Sequence, residues 1–237
     1  QHVVTRRQRQ MCIRDRRGAS QGNEWFKIKL LNGEERELTT WDYTAIYAYP
    51  HLYKMLYSDL LKYGVFKALG NLLFEYAPQT CNELRILDVA CGSGLMGKFL
   101  KEKSPLEVKT LVGVDILPDA LVALKRDNPN IYDETHLVKK VKDLHFSTKT
   151  TFNCLCICGG ANHIELAEFQ QYLNLIENKA YIIFNLLADK THHKRTNILN
   201  WFSENENLIF CKSSIYKHRN LMNGKPVFHE AFLFQKK

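Results

Sequence analysis

Six residues, Gly92-Ser93-Gly94-Leu95-Met96-Gly97, carry the spacing G-x-G-x-x-G. One aspartate, Asp88, stands four residues before them, and another, Asp115, 21 residues after Gly94. Glycines at that spacing permit positive φ and let the backbone come close to a ligand. A helix starting at such a turn presents N–H groups and the positive end of its dipole. A pyrophosphate and a free carboxylate satisfy that geometry equally, so the loop alone does not name its ligand. The aspartates narrow the choice. Asp88 lies inside the apolar run "ILDVAC"; a carboxylate buried there needs partners, adds like charge to a pyrophosphate and favours a cationic ligand. Asp115 closes the run "TLVGVD", where an acid can accept both hydroxyls of an adenosine ribose. The pair points to an adenosine ligand that carries positive charge. A nicotinamide dinucleotide stays open as an alternative, although the motif does not open its domain as dinucleotide fingerprints commonly do.

Other residues are candidates for the second half of a reaction. His163, in "GGANHIEL", has an imidazole suited to general-base work near neutral pH; alternatively, Asn162 and Glu165 form a helix cap and His163 only fills a first turn. His218 and Arg219, in "YKHRNLMNGKP", are expected on a loop at the ligand rim. There Arg219 could hold a carboxylate or phosphate, unless the loop is a solvated turn. Tyr47, with Trp41, Tyr43 and Tyr49, is a candidate for a lid over the pocket or for ordinary core. Cys154, Cys156 and Cys158 alternate, so a strand puts all three on one face. Without a turn between ligands or a histidine pair, they read as buried apolar residues and no metal is expected.

These residues need elements to position them. "EWFKIKLLNGEEREL" reads as a hairpin around Asn32-Gly33. Pro50 is expected to open a helix bearing Tyr49, Tyr53 and Tyr57, broken at Gly64 or Gly70. From Arg85, strands ("RILDVA", "TLVGVDIL", "THLVKKVKDL", "FNCLCIC", "KAYIIFNLLAD") alternate with helices ("GLMGKFLKEK", "PDALVALKRD", "ELAEFQQYLNLIE", "KTHHKRTNILNWFSEN"). The chain then closes with an antiparallel pair, "NLIFCKSSIYKHR" and "VFHEAFLFQ". Such alternation predicts an α/β, Rossmann-like, doubly wound sheet. Its ligand crevice lies beyond the carboxyl ends of the strands, at the switch in strand order. The organisation expected is a tail over residues 1–20, a hairpin and helical, aromatic cap over 21–80, and the α/β domain over 81–237.

"ILDVACGSG" resembles motif I of the class I S-adenosylmethionine-dependent methyltransferases, and "LVGVDILPDAL" is similar to their second motif. The stretch "GVDILPDALVALKRDNPNIYDE" further resembles a little-characterised group of bacterial methyltransferase-like proteins. The resemblance implies a seven-stranded sheet with an antiparallel last strand and S-adenosyl-L-methionine as cofactor. It implies a cofactor loop of Ala90, Cys91, Gly92 and Gly94, the two glycines lining the amino-acid moiety. Asp88 would face the ammonium, Asp115 the ribose, Ile116 the adenine ring, and Asp143 and Leu144 the adenine edge. Gly159 and Gly160 would lie near the sulfonium. The sequence has no N-P-P-Y-like motif after the fourth strand, the family's sign for methylation of base amines. A small-molecule acceptor is therefore expected and a nucleic acid is not. The alternatives are a catalytically inactive protein of this fold and an NAD(P)-dependent oxidoreductase.

Charge supports that choice. The net charge is +8, but residues 1–20 hold six arginines against Asp15, which leaves 27 basic and 24 acidic residues in the rest. Basicity concentrated in one aperiodic segment is not a nucleic-acid-binding face on the domain. That segment cannot pack; it resembles translated adapter DNA and reads as a disordered, non-native tail. No apolar run approaches the roughly 20 residues of a membrane span, and no secretory signal is recognisable. With free cysteines suited to a reducing compartment, a cytoplasmic protein is expected.

Overall fold

The apolar run Glu83–Val89 (β3) is buried from Ile86 onward, and a strand buried on both faces belongs inside a sheet. In the computed structural model, which describes residues 22–147 and 151–237, that sheet has seven strands. The others are Glu107–Asp115 (β4), Glu134–Leu137 (β5), Phe152–Ile157 (β6), Ile176–Leu187 (β7), Leu208–Asn220 (β8) and Pro226–Lys236 (β9). Their spatial order is β5-β4-β3-β6-β7-β9-β8. The chain moves outward from β3 to β5, then returns to lay β6 against the other side of β3. The strand order therefore switches between β3 and β6, the position at which open α/β sheets form a ligand crevice. β3 to β7 are parallel; β9 runs antiparallel between β7 and β8. The fold is thus the expected Rossmann-like one, with its antiparallel last strand inserted one place in from the edge.

Alternation along the strands builds two cores. Ile86, Leu111, Cys154, Cys156, Ile183 and Leu233 pack under Val65–Tyr76 (α2) and Leu95–Lys103 (α3). Leu87, Val112, Leu155, Ile182 and Phe184 pack under Leu166–Leu173 (α5) and His193–Glu204 (α6). Cys154, Cys156 and Cys158 share the first of these faces, and burial pushes all three thiols up in pKa. Before the sheet come the hairpin Trp25–Lys29 (β1) and Glu35–Thr39 (β2), turned at Gly33 (φ 86°), and the helix Tyr43–Ala48 (α1). Pro118–Asp127 (α4) follows β4.

Several expectations need correction. Pro50 does not open a regular helix. The segment after it winds as a π-helical turn, Lys54–Leu60, bracketed by His51 and Lys62 at φ 60° and 58°. Gly70 does not break α2; it lies under the Phe99 ring, which a side chain there would meet. The third strand shrinks to Glu134–Leu137, and Val141–Asp143 forms a 3-10 turn. Helix α5 is capped by Glu165 and Glu168 in a reciprocal box, not by Asn162. Residues 217–220 continue β8 instead of forming a loop. The basic segment 1–20 lies outside the described residues.

Candidate functional site

The turn after β3 is built from unusual backbone. Ala90 (φ 58°), Gly92 (φ 55°) and Gly94 (φ 81°) occupy the left-handed region, and Gly94 leads into α3 with no side chain capping its first turn. Cys91 N–H donates to Val114 O and Asn128 Nδ2 to Ser93 O at 2.8 Å, tying the loop to β4 and to the end of α4. The glycines divide the labour. A Cβ on Gly92 would lie 2.7 Å from Tyr47 Oη, on the crevice side. Cβ atoms on Gly94, Gly97 and Gly113 would all run into Tyr132. The last two glycines of the motif thus make room for a buried tyrosine.

Tyr132 also explains Asp88. In the sheet Asp88 pairs with Gly113 on one side and Cys156 on the other. Tyr132 lies across Gly113 and donates its hydroxyl to Asp88 Oδ2 at 2.5 Å; Gly97 N–H donates to the same hydroxyl at 3.2 Å. Asp88 is 0% exposed, and its Oδ1 makes no hydrogen bond. The weakly donating Cys156 thiol is a further polar neighbour of the carboxyl group, and Asp115 adds like charge. Burial therefore pushes its pKa up to about 7, against the opposing pull of Tyr132. An enclosed carboxyl with a vacant acceptor atom has the chemistry to take a cation. Nothing in "NPNIYDE" marks Tyr132 from sequence; only the surplus of small residues facing it was a signal.

Asp115, at the end of β4, accepts Gly92 N–H at 2.8 Å on Oδ2 and Leu117 N–H at 2.9 Å on Oδ1. Burial raises its pKa while these backbone donors oppose the rise. Each carboxylate oxygen has a second lone pair, so a diol can still be accepted, but Asp115 is also the peg holding the glycine loop. Ile116 beside it is 69% exposed, a large apolar side chain left mostly open. Asp143 is exposed, while Leu144 packs partly into the sheet's second core.

The aromatic segment closes over this loop. Tyr43, Tyr47, Tyr53, Tyr57 and Tyr63 contact one another in a chain of rings, with centroids 6.2, 5.1, 4.6 and 5.7 Å apart in sequence order. Tyr47 is set by α4: Arg126 donates to the carbonyls of Tyr47, Ala48 and Tyr49 at the end of α1, and Asp127 accepts His51 N–H. Tyr63 Oη lies 2.5 Å from where Gly159 would carry a Cβ. Between this roof and residues 90–96 remains a cavity of about 40 Å³, also lined by Phe66 and Cys158. That is room for about one water molecule.

The residues predicted to act on an acceptor are scattered. Gly159 (φ 79°) donates its N–H to Asn185 Oδ1, and Gly160 packs on Ala90, so the turn after β6 does meet the loop. His163 ends a 3-10 turn near Lys194, and partial burial with that ammonium holds its pKa below the usual value. His218 and Arg219 are not on a rim loop. Both are buried in β8, and Arg219 makes a fork with Glu24, which also accepts Met222 N–H. Arg219 is therefore engaged within the protein and does not serve as an open anion fork. His218 stacks on His229, ring centroids 3.5 Å apart. Among the described residues, no three His, Cys, Asp or Glu side chains come together as a metal site, and no helix is long and apolar enough to cross a membrane.

Residues 86–178, from β3 into β7, match the family model described as a methyltransferase domain. No curated protein sequence matches the chain. Solved structures do. The plantazolicin methyltransferase BpumL, in complex with a triazolic desmethyl analogue and S-adenosylhomocysteine, is 14% identical at TM-score 0.55 over 82% of this chain and 95% of its own. The N-methyltransferase NodS of Bradyrhizobium japonicum WM9, in complex with S-adenosylhomocysteine, is 12% identical at TM-score 0.57, over 82% and 96%. The ribosomal protein L11 methylase of Lactobacillus delbrueckii subsp. bulgaricus is 16% identical at TM-score 0.51, over 71% and 77%. Identities this low speak for the fold, and the two of these names that state an acceptor, plantazolicin and ribosomal protein L11, differ. The strand order and the glycine loop are those of the class I S-adenosylmethionine-dependent methyltransferase fold, and residues 86–178 match a methyltransferase domain.

Proposed function

We propose that the protein is an S-adenosylmethionine-dependent methyltransferase that methylates a small molecule by in-line displacement. The observation that carries this reading is Asp88: an enclosed carboxyl at the glycine loop with an oxygen that makes no hydrogen bond. A pyrophosphate would worsen that environment, whereas the ammonium of an amino-acid moiety would relieve it. In this reading the backbone of Ala90, Cys91, Gly92 and Gly94 borders the amino-acid end. Asp115 accepts the ribose hydroxyls, and Ile116 and Leu144 cover the adenine, with Asp143 at its edge. When bound, the cofactor supplies an electrophilic methyl group on a sulfonium centre.

The chain's own residues then orient and exclude water. Alignment of a nucleophile with a leaving group supplies most of the rate in such a displacement. The tyrosine roof keeps the crevice dry once closed, and Tyr47 and Tyr53 must move aside to admit a ligand larger than the present cavity. His163 is the candidate base for an acceptor that arrives protonated, since its lowered pKa leaves the imidazole neutral at pH 7. The nearly balanced charge outside residues 1–20 supports a small acceptor over a nucleic acid. Buried free thiols suit a reducing compartment, and we place the reaction in the cytoplasm.

Calorimetric titration with S-adenosylhomocysteine and with NADH tests this. Saturable binding of the first and none of the second is expected. Tight NADH binding without S-adenosylhomocysteine binding overturns the reading.

A further inference from the structure

One buried donor has no function in the cofactor half of the site. The Gly159 N–H can only donate, and it lies 2.8 Å from Asn185 Oδ1. That contact orients the Asn185 amide and makes its Nδ2 the donor to His229 Nδ1, 2.9 Å away. Nδ1 therefore accepts, and a neutral imidazole that accepts on one nitrogen carries its proton on the other. His229 is neutral: burial and the Arg219 guanidinium hold its pKa down to about 3. Its proton is therefore on Nε2. That nitrogen is enclosed, in a residue 6% exposed, and makes no hydrogen bond. Leaving a buried donor unpaired costs about 1–3 kcal/mol, and the large majority in folded proteins are paired.

His229 belongs to the half of the sheet on the other side of β3 from Asp115. His229 pairs with Leu187 at the carboxyl end of β7. Asn185 and His229 alternate with Ile183 and Ala231, so they share the sheet face that carries Asp88. Tyr63 bridges the two halves, edge-on to His218 at 4.6 Å with its hydroxyl against Gly159. It follows Lys62, whose φ of 58° marks the end of the π-helical turn. His218 supports His229 from beneath and is itself held by Tyr216, whose hydroxyl is 3.0 Å from its Nδ1. The charges here are already paired. Arg219 is matched by Glu24, and Glu230, next to His229, turns to Arg195 and Ser213.

We propose that His229 Nε2–H is the hydrogen-bond donor that anchors the methyl acceptor, and that it selects an uncharged aromatic hydroxyl over an ammonium. This rests on the methyltransferase reading above. A lone pair on oxygen completes the unpaired donor, and the rings of Tyr63, Tyr216 and His218 packed around His229 offer an aromatic acceptor stacking partners once the roof opens at Tyr63, which also lines the cavity over the loop. An ammonium offers no lone pair to the Nε2–H and finds no free carboxylate beside His229.

Long-range proton–nitrogen NMR on the labelled full chain reads the tautomer directly, and the Nε2–H form is expected. The protein saturated with S-adenosylhomocysteine is then titrated with phenol and with benzylamine. Phenol should shift the His229 nitrogen signals and bind at least tenfold more tightly than benzylammonium. His229→Phe should weaken phenol at least tenfold with S-adenosylhomocysteine affinity unchanged, and His229→Gln, which keeps a donor, should recover part of it. Should the Phe variant fail to fold, the tautomer and the Gln variant decide. An Nδ1–H tautomer, equal binding of the two probes, binding of neither, or phenol affinity unmoved by the Phe substitution overturns the proposal. Failure of S-adenosylhomocysteine itself to bind overturns the methyltransferase reading instead.

Discussion

Replacing Asp88 by Asn keeps the shape of the side chain and removes its ionisation. In the folded chain burial lifts the carboxyl pKa from 3.8 to about 7. Each unit of such a shift corresponds to about 1.4 kcal/mol. As pH rises from about 4, Asp88 ionises in the unfolded chain but holds its proton in the folded one. The unfolded state then binds fewer protons, so stability falls with rising pH and levels off above about pH 7. The full loss is on the order of 4 kcal/mol, of which roughly 3 falls between pH 4.5 and 8. Urea unfolding of wild type and Asp88→Asn at those two pH values should show this difference in slope, with the variant the more stable relative to wild type at pH 8. Binding should run the other way. A ligand ammonium favours the ionised carboxyl, so S-adenosylhomocysteine affinity in the wild type should rise with pH up to about 7. Calorimetry at pH 6 in buffers of different ionisation enthalpy should register proton release. At pH 8 the variant should bind about tenfold more weakly, the loss of a hydrogen bond to a charged group of about 1.5–3 kcal/mol, partly offset by water. Parallel stability–pH curves for the two proteins, or equal affinity at pH 8, would refute this account of Asp88.

Asp115→Ala should weaken S-adenosylhomocysteine binding about 10²-fold and also lower the melting temperature by several degrees, because Gly92 and Leu117 lose their acceptor; unchanged affinity by calorimetry would misplace the ribose. Arg219→Met should destabilise the fold by about 3–5 kcal/mol by stranding buried Glu24. The double change with Glu24→Gln should regain part of that in denaturant unfolding, and no regain would mean the pair is not coupled. Hydrogen exchange should show residues 52–61, between the left-handed His51 and Lys62, changing in protection when S-adenosylhomocysteine binds; identical exchange would mean that the roof does not move. His163→Ala should lower turnover about 10²-fold on an acceptor that needs a base with cofactor affinity intact, and wild-type turnover would remove it from the mechanism.

Local sequence determined the strands, the glycine turn and its two aspartates. Periodicity of two or of continuous apolar residues follows from burial, and positive φ follows from glycine; both are read within a few residues. The resemblance to the family's first and second motifs placed Asp88, Gly92, Gly94 and Asp115 near one another, and they do stand at neighbouring strand ends, because each sits at the end of a parallel strand or in the turn after it. What tertiary structure alone decided lies at long sequence separation. Tyr132 reaches Asp88 across 44 residues, Glu24 meets Arg219 across 195, and Asn185 meets His229 across 44. No periodic pattern announces such pairs, since each partner is a single polar residue whose role depends on which strand β9 joins. Inserting β9 between β7 and β8 buried His218 and Arg219 where a rim loop was expected. The same insertion put His229 over His218 and left its Nε2 facing no partner. The π-helical turn was equally illegible, because its tyrosines keep a four-residue spacing that an α-helix would also use, and only packing against α4 and the glycine loop selects between them.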